Sequence, residues 1–343
     1  MENRVEIIAE ISANHGHDIN IAKQTIKAAK EAGADAVKIQ TYTADTITID
    51  CDNEFFRIAH GTIWDGATLY KLYQEAYTPW EWHKELFIYA KEVGIEIFST
   101  PFDNTAVDLL EELNVRRYKI ASPEITDIPL IEYVASKGKP IIISVGIAIL
   151  EDIYEAVEAC RRQGNSDITL LQCTSQYPAK PEDANLLVMQ DMKKRFQVKV
   201  GLSDHTMGHE VAVIAAAMQA SVIEKHFIMD RKIGGPDASF SMDIEEFKEM
   251  VSEIRRVERI IGQATYDMDE KKKKTREFAR SLFVVQDVRE GEEITNKNVR
   301  SIRPGYGISP KFINQICGKK FSFEVKRGTP FAWEMISDIN KND

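Results

Sequence analysis

Short apolar runs alternate with amphipathic stretches along the first part of the chain, up to about residue 260. The β-rich runs fall at 5–10, 36–40, 96–100, 117–121, 140–145, 169–172, 198–202 and 221–225. Stretches with helical spacing of apolar positions follow them at 19–31, 79–92, 106–113, 130–136, 150–162, 185–196, 209–219 and 244–261. Eight strand–helix units in this order predict a parallel α/β fold, and the count closes as a (β/α)8 TIM barrel. A doubly wound open sheet is the alternative. The barrel is favoured because polar residues follow nearly every apolar run, as they do where strand ends line an active-site mouth.

Two segments break the alternation. Between Gln40 and Pro79 the chain passes Tyr42, Phe55, Phe56, Trp64, Tyr70, Tyr73 and Tyr77 with no strong repeat. So long an excursion after a strand reads as a folded cap, either stacking on sugar faces or forming a small satellite core. The second break is the charge run 267–274, with Lys271, Lys272, Lys273 and Lys274, which reads as a solvated linker or helix end. Beyond it come short β-like pieces with Gly/Pro punctuation. The expected organisation is a catalytic barrel at 1–262, a linker at 263–280 and a small β-rich domain at 281–343.

Composition narrows the class. The 343 residues are 43% hydrophobic and 29% charged, as in ordinary globular proteins. A formal net charge of -10 argues against a nucleic-acid surface. No apolar run approaches the roughly 20 residues of a membrane span. Cys51, Cys160, Cys173 and Cys317 have no metal-ligand spacing, and the first residues show no secretory pattern, so a cytoplasmic protein with reduced thiols is expected.

The strand ends carry the candidate chemistry. His205 and His226 close the seventh and eighth runs, with one helix-length stretch between them. Adjacent parallel strands bring both imidazoles to one rim, where two ligands leave room for water and substrate oxygen on a metal. Asp204 and Glu224 are expected to orient the rings through their second nitrogens. His15 and His17 read as structural or substrate-adjacent. Glu10 closes the first strand, either paired with a lysine or acting as general acid/base or sugar ligand. Lys38 and Lys119 end the second and fourth runs, where inward lysines call for a carboxylate or phosphate. Ser122, Ser175 and Ser203 follow the fourth, sixth and seventh runs as phosphate donors.

At these positions the chain resembles the sialic acid synthase family of nonulosonic acid synthases. The motifs are Ala9-Glu10-Ile11-Ser12-Ala13-Asn14-His15, Val37-Lys38-Ile39-Gln40-Thr41, Ser99-Thr100-Pro101-Phe102-Asp103, Tyr118-Lys119-Ile120-Ala121-Ser122, Gly201-Leu202-Ser203-Asp204-His205-Thr206 and Glu224-Lys225-His226-Phe227. The C-terminal part, through Ala279-Arg280-Ser281-Leu282 and Arg303-Pro304-Gly305, is similar to the family's antifreeze-like (SAF) domain. Segment 69–83 is similar to the pseudaminic acid branch. The resemblance implies metal-dependent condensation of phosphoenolpyruvate with 2,4-diacetamido-2,4,6-trideoxy-L-altrose and water, with phosphate released by C–O cleavage. It implies a divalent metal, Mn2+ or Mg2+, on His205 and His226. It puts phosphoenolpyruvate on Lys38, Thr100, Lys119, Ser122, Ser175 and Ser203, and the sugar near Glu10, Gln40, Tyr177 and Asp237. It further implies that Arg303 reaches the partner subunit's site in a domain-swapped homodimer. The chain departs from the family at Ser175, where the neuraminic branch has asparagine, and at Val145, where threonine is frequent. The alternatives are the neuraminic or legionaminic reaction on a related N-acetylated hexose, a metal-dependent pyruvate aldolase, and a non-catalytic carbohydrate- or ice-binding protein.

Overall fold

The structure, a computed structural model, describes residues 4–59, 61 and 63–337; the expected chain limits at 1 and 343 lie outside that description. The chain divides into two compact units, Met1–Gly262 and Gln263–Asp343. In the first, β1 (Glu6–Glu10), β2 (Ala36–Thr41), β3 (Glu96–Pro101), β4 (Tyr118–Ile120), β5 (Ile141–Ser144), β6 (Ile168–Cys173), β7 (Lys199–Asp204) and β8 (Val222–His226) form a closed parallel barrel. The expected barrel is therefore the observed one. Its closing seam pairs Glu10 with His226 and, on the other edge, Glu10 with Lys38. Every residue of β6 and β8 is buried, as expected of parallel strands covered on both faces.

The outer helices are α1 (Ile19–Glu31), α4 (Trp80–Val93), α5 (Asn104–Glu112), α6 (Ile128–Ala135), α7 (Leu150–Arg162), α8 (Leu187–Phe196), α9 (Glu210–Ala217) and α10 (Ile244–Ile261). Between β2 and α4 the aromatic excursion folds as α2 (Ala44–Ile47) and α3 (Leu69–Ala76). Side-chain caps from Asp18, Asp103, Asp127 and Asp243 start α1, α5, α6 and α10, each satisfying amide groups that lack helical partners. Gly94, in the left-handed region, ends α4. At Gly201 the β7–β8 approach leaves no room for a side chain, because a Cβ would sit 2.2 Å from the Val222 carbonyl oxygen.

In the second unit β9 (Ser281–Val284) pairs antiparallel with β10 (Val299–Ile302), over a core that includes Leu282, Val284, Ile294, Phe321 and Phe331. It also contains α11 (Glu270–Arg276) and the single turn α12 (Ile313–Ile316). The lysine run lies on α11, which Asp269 caps and which has no buried residue. Among the described residues no helix is long and apolar enough to cross a membrane.

Candidate active site

Side chains in a strand alternate between faces, so Glu10, Lys38, Lys119 and Glu224 point into the barrel from β1, β2, β4 and β8. They meet there as an ionic network. Lys38 Nζ lies 2.7 Å from Glu10 Oε2 and 3.3 Å from Glu224 Oε1, and Lys119 Nζ lies 3.3 Å from the same Glu224 oxygen. Lys38 also donates to Thr100 Oγ1 at 3.3 Å. The carboxylates that the inward lysines call for are supplied by the protein itself: Glu10 is paired with a lysine, as one of its two sequence readings had it, and Glu224 is the second. The balance is uneven. Burial lowers Lys38, but Glu10 and Glu224 outweigh it and hold the ammonium charged. Burial prevails at Lys119, whose pKa is lowered. Burial pushes Glu224 up, yet Lys119 and Lys38 hold it at about 2. Burial wins at Glu10, raised to about 6 against the pull of Lys38. Lys119 is thus the cation with the most to gain from a substrate carboxylate.

His205 and His226 share one rim, with ring centroids 5.3 Å apart. His205 Nδ1 donates to the Thr174 carbonyl at 2.9 Å, so the neutral ring keeps its lone pair on Nε2; burial lowers the His205 pKa, but Cys173 and the Thr174 carbonyl outweigh it and raise it. His226 Nδ1 is buried without a hydrogen-bond partner and lies 3.9 Å from Asp237 Oδ2. Burial, with help from His205, lowers the His226 pKa well below the usual imidazole value and keeps it neutral. The expected orienting carboxylates are not the observed ones. Asp204 alternates to the outer face of β7 and takes a buried 2.6 Å bond from Lys225, whose ammonium also donates to the Thr206 and Gly208 carbonyls. Glu224 is engaged by the lysines and by Ser203, whose hydroxyl donates to it at 3.1 Å. Ser203 thus lies within β7, not after it. His15 is buried between His17 and Trp82. His17 bonds the Glu75 carbonyl at 2.7 Å. Both tie the β1–α1 loop to the cap.

Beside the histidines is a hydroxyl cradle. Ser122 Oγ accepts from the Ile147 amide at 2.8 Å. A Cβ built on Gly146 would lie 2.4 Å from Ser175 Oγ, 3.0 Å from Ser122 Oγ and 3.1 Å from Cys173 Sγ. Cys173 Sγ in turn lies 3.7 Å from His205 Nδ1. Two hydroxyls and a thiol converge on a bare backbone, one residue from Val145.

Above this floor is a cavity of about 500 Å3 lined by Ser12, Gln40, Glu124, Tyr177, His226 and Asp237 on the barrel side. Gln40 donates to Glu10 at 3.3 Å and to Ser12 at 3.0 Å. The Tyr177 ring lies 4.4 Å from that of His205. Asp237 reaches the mouth because Phe227 bridges Met242, folding the intervening loop back over β8. Arg303 belongs to the second unit, exposed just past β10. Three groups escaped the sequence reading. Gly146 is one, and the Glu224 role as counter-ion is another. The third is Glu124, in the turn after β4, whose Oε2 is buried and unpartnered and whose carboxyl burial raises to about 7.

The comparisons agree with this geometry. The sequence profile of the NeuB family matches residues 25–266, and that of the SAF domain matches residues 279–337. Pseudaminic acid synthase of Helicobacter pylori is 48% identical over 332 residues, 96% of this chain and 97% of that protein. The N,N'-diacetyllegionaminic acid synthase of Legionella pneumophila is 39% identical, over 96% of this chain and 94% of that protein. The crystal structure of an N-acetylneuraminic acid synthetase from Leptospira borgpetersenii superposes with a TM-score of 0.71 at 32% identity, covering 80% of this chain and 90% of that one. A barrel of this kind, matched over most of its length, places the chain in the NeuB family, followed by a SAF domain.

Proposed function

We propose that this chain is an enzyme of the pseudaminic acid synthase reaction. It joins phosphoenolpyruvate to 2,4-diacetamido-2,4,6-trideoxy-L-altrose and water, and releases phosphate by C–O cleavage. The observation that carries the reading is the meeting of Ser122, Ser175 and Cys173 around Gly146, with Cys173 in turn touching His205 of the His205–His226 pair. The identity of 48% to the Helicobacter pylori synthase selects the branch.

Each residue has a task. Lys119, with Lys38 and Thr100 beside it, holds the carboxylate of phosphoenolpyruvate, and Ser122 and Ser175 donate to its phosphate. Ser203 fixes Glu224, which keeps both lysines in place. Fixing both substrates removes much of the entropic barrier to a two-substrate step. The methylene carbon of phosphoenolpyruvate bonds to the aldehyde carbon of the open-chain sugar, water adds to the cationic carbon so formed, and the C–O bond to phosphate breaks. The adding water gives one proton to the former aldehyde oxygen; phosphate leaves with the electron pair of the C–O bond and takes up the second water proton, as the hydroxyl left on that carbon becomes the ketone. Glu124 is better placed for this exchange than Glu10, because it lines the cavity, is not tied to a lysine and titrates near neutrality. Glu10, tied to Lys38 and Gln40, orients the sugar with Tyr177 and Asp237.

The donor set fits a divalent cation, which His205 Nε2 and His226 Nδ1 would hold, since the latter is buried without a partner. Such an ion supplies Lewis-acid polarisation of the aldehyde oxygen. No group of three or more His, Cys, Asp or Glu among the described residues encloses an ion unaided, so substrate and water oxygens complete the set. Mixed imidazole and oxygen ligands suit Mn2+, with Mg2+ as the second candidate. The working enzyme in this reading is a cytoplasmic, domain-swapped homodimer in which Arg303 serves the partner subunit's site. The test offers phosphoenolpyruvate with a panel of N-acetylated hexoses and reads phosphate release and product mass. The diacetamido-trideoxy altrose should be the best substrate. Faster turnover of a mannose-configured N-acetylhexosamine would move the chain to the neuraminic reaction, and C–C bond formation from pyruvate without phosphate would make it an aldolase.

A further inference from the structure

The cavity has two unlike walls. Its barrel side presents polar atoms from Ser12, Gln40, Glu124, Asp237 and His226, while on its cap side the α3 face is apolar and the charged lining residue, Arg57, is engaged by Asp52. On the cap side Leu69, Leu72, Tyr73 and Ala76 of α3 all line the cavity, joined by Ile47 and Ile58. The four α3 positions are spaced i, i+3, i+4 and i+7, so they form one face of the helix. Such a face normally packs into a core. Here no residue of α3 is buried, and none of the four belongs to the barrel's hydrophobic core or packs against it. The wall is nevertheless held in place. Thr68 caps α3, the Leu69 amide donates to the Phe56 carbonyl at 2.9 Å, and Trp64 Nε1 donates to the Pro236 carbonyl at 3.2 Å across the mouth.

We propose that this face of α3 selects the sugar, accepting a deoxy, N-acylated aldohexose and rejecting its hydroxylated counterpart. The inference rests on the condensation reading above. The same cavity continues to Gln40, Glu124 and His226, so its occupant is the sugar of that site. The polar wall holds the reacting end, where an aldehyde and hydroxyls need donors and acceptors. The opposite end then meets Leu69, Leu72 and Ala76, which offer none. A hydroxyl pressed there gives up its water without replacement, whereas a methyl group gains by leaving water. An apolar pocket rejects an added hydroxyl by up to about 10²-fold, and that bounds the effect.

The experiment compares kcat/KM for a 2,4-diacetamido-2,4,6-trideoxyhexose with that for its 6-hydroxy analogue, in wild type, Leu72→Asn and Leu69→Ser. KM for phosphoenolpyruvate in each variant reports whether the barrel floor is intact. Wild type should favour the deoxy sugar about 10- to 100-fold. Both variants should cut that ratio at least about fivefold, by losing the deoxy sugar and tolerating the hydroxyl, with KM for phosphoenolpyruvate unchanged. A wild-type ratio near one, or variants that slow both sugars equally, overturns the wall assignment while leaving the condensation reading intact. Absence of phosphate release with either sugar, in wild type with metal, overturns the condensation reading and the wall assignment with it.

Discussion

Glu124 and Glu10 hold their protons more tightly in the folded protein than in an unfolded chain, because burial lifts them to about 7 and about 6. The stability this brings is fully present below the unfolded carboxylate value of about 4.3 and is lost as pH rises through 6 and 7. Glu224, held at about 2, works the other way, and its contribution is lost only as pH falls toward that value. We therefore expect the thermal midpoint to fall between pH 5 and 8. Glu124→Gln should flatten that slope, worth on the order of 2–3 kcal/mol. The same variant should lower kcat by about 10²-fold or more, as expected for a lost proton carrier, with little change in KM for phosphoenolpyruvate. An unaltered pH profile in Glu124→Gln would remove Glu124 from proton transfer. For the metal pair, His226→Ala should lose at least about 10²-fold in turnover, and added Mn2+ should not restore it. Wild type stripped by a chelator should recover on adding the ion. Near-full turnover of the variant in chelator would dismiss the metal role.

Glycine placement within β7 and just after β5 makes a sharper demand than helix propensity does. Gly201→Ala would press a methyl group against the Val222 carbonyl and Leu171, at 2.2 Å and 2.8 Å. Backbone cannot swing aside as a side-chain end can, so we expect a loss of about 1–3 kcal/mol or more, read as a lowered denaturation midpoint. Gly146→Ala meets only hydroxyl and thiol ends, which can rotate. It should leave stability nearly intact and raise KM for phosphoenolpyruvate by disturbing Ser122 and Ser175. Periodicity located the long helices well: the expected 19–31, 150–162 and 244–261 coincide with α1, α7 and α10. It missed α2 and α3 inside the aromatic excursion. Two turns of helix lie below the window in which a 3.6-residue period stands out. Alternation along β7 and β8 also explains why Asp204 and Lys225 pair behind the strands while Ser203 and Glu224 face in.

Two compact units in one chain, with Arg303 on the second, make the proposed cross-subunit site a question of assembly. Arg303→Ala and Lys119→Ala should each be nearly inactive alone. Mixed after dissociation and reassociation, they should recover up to about a quarter of wild-type activity, because a heterodimer with one intact site forms by mass action. No recovery in a verified heterodimer would place Arg303 outside the partner's site.

Local periodicity sufficed for the order and kind of the barrel units, the break into a second domain, and the rim on which His205 and His226 sit, because each of these is written within a few neighbouring residues. The charge balance was decided elsewhere. Glu10, Lys38, Lys119 and Glu224 come together only through strand register and closure of β8 onto β1, so no spacing along the chain announces that the lysines are already paired. Nor does any local pattern set the Glu124 carboxyl near neutrality or turn α3 toward a cavity. Burial is a property of the packed molecule, and a residue's neighbours in sequence carry almost none of it.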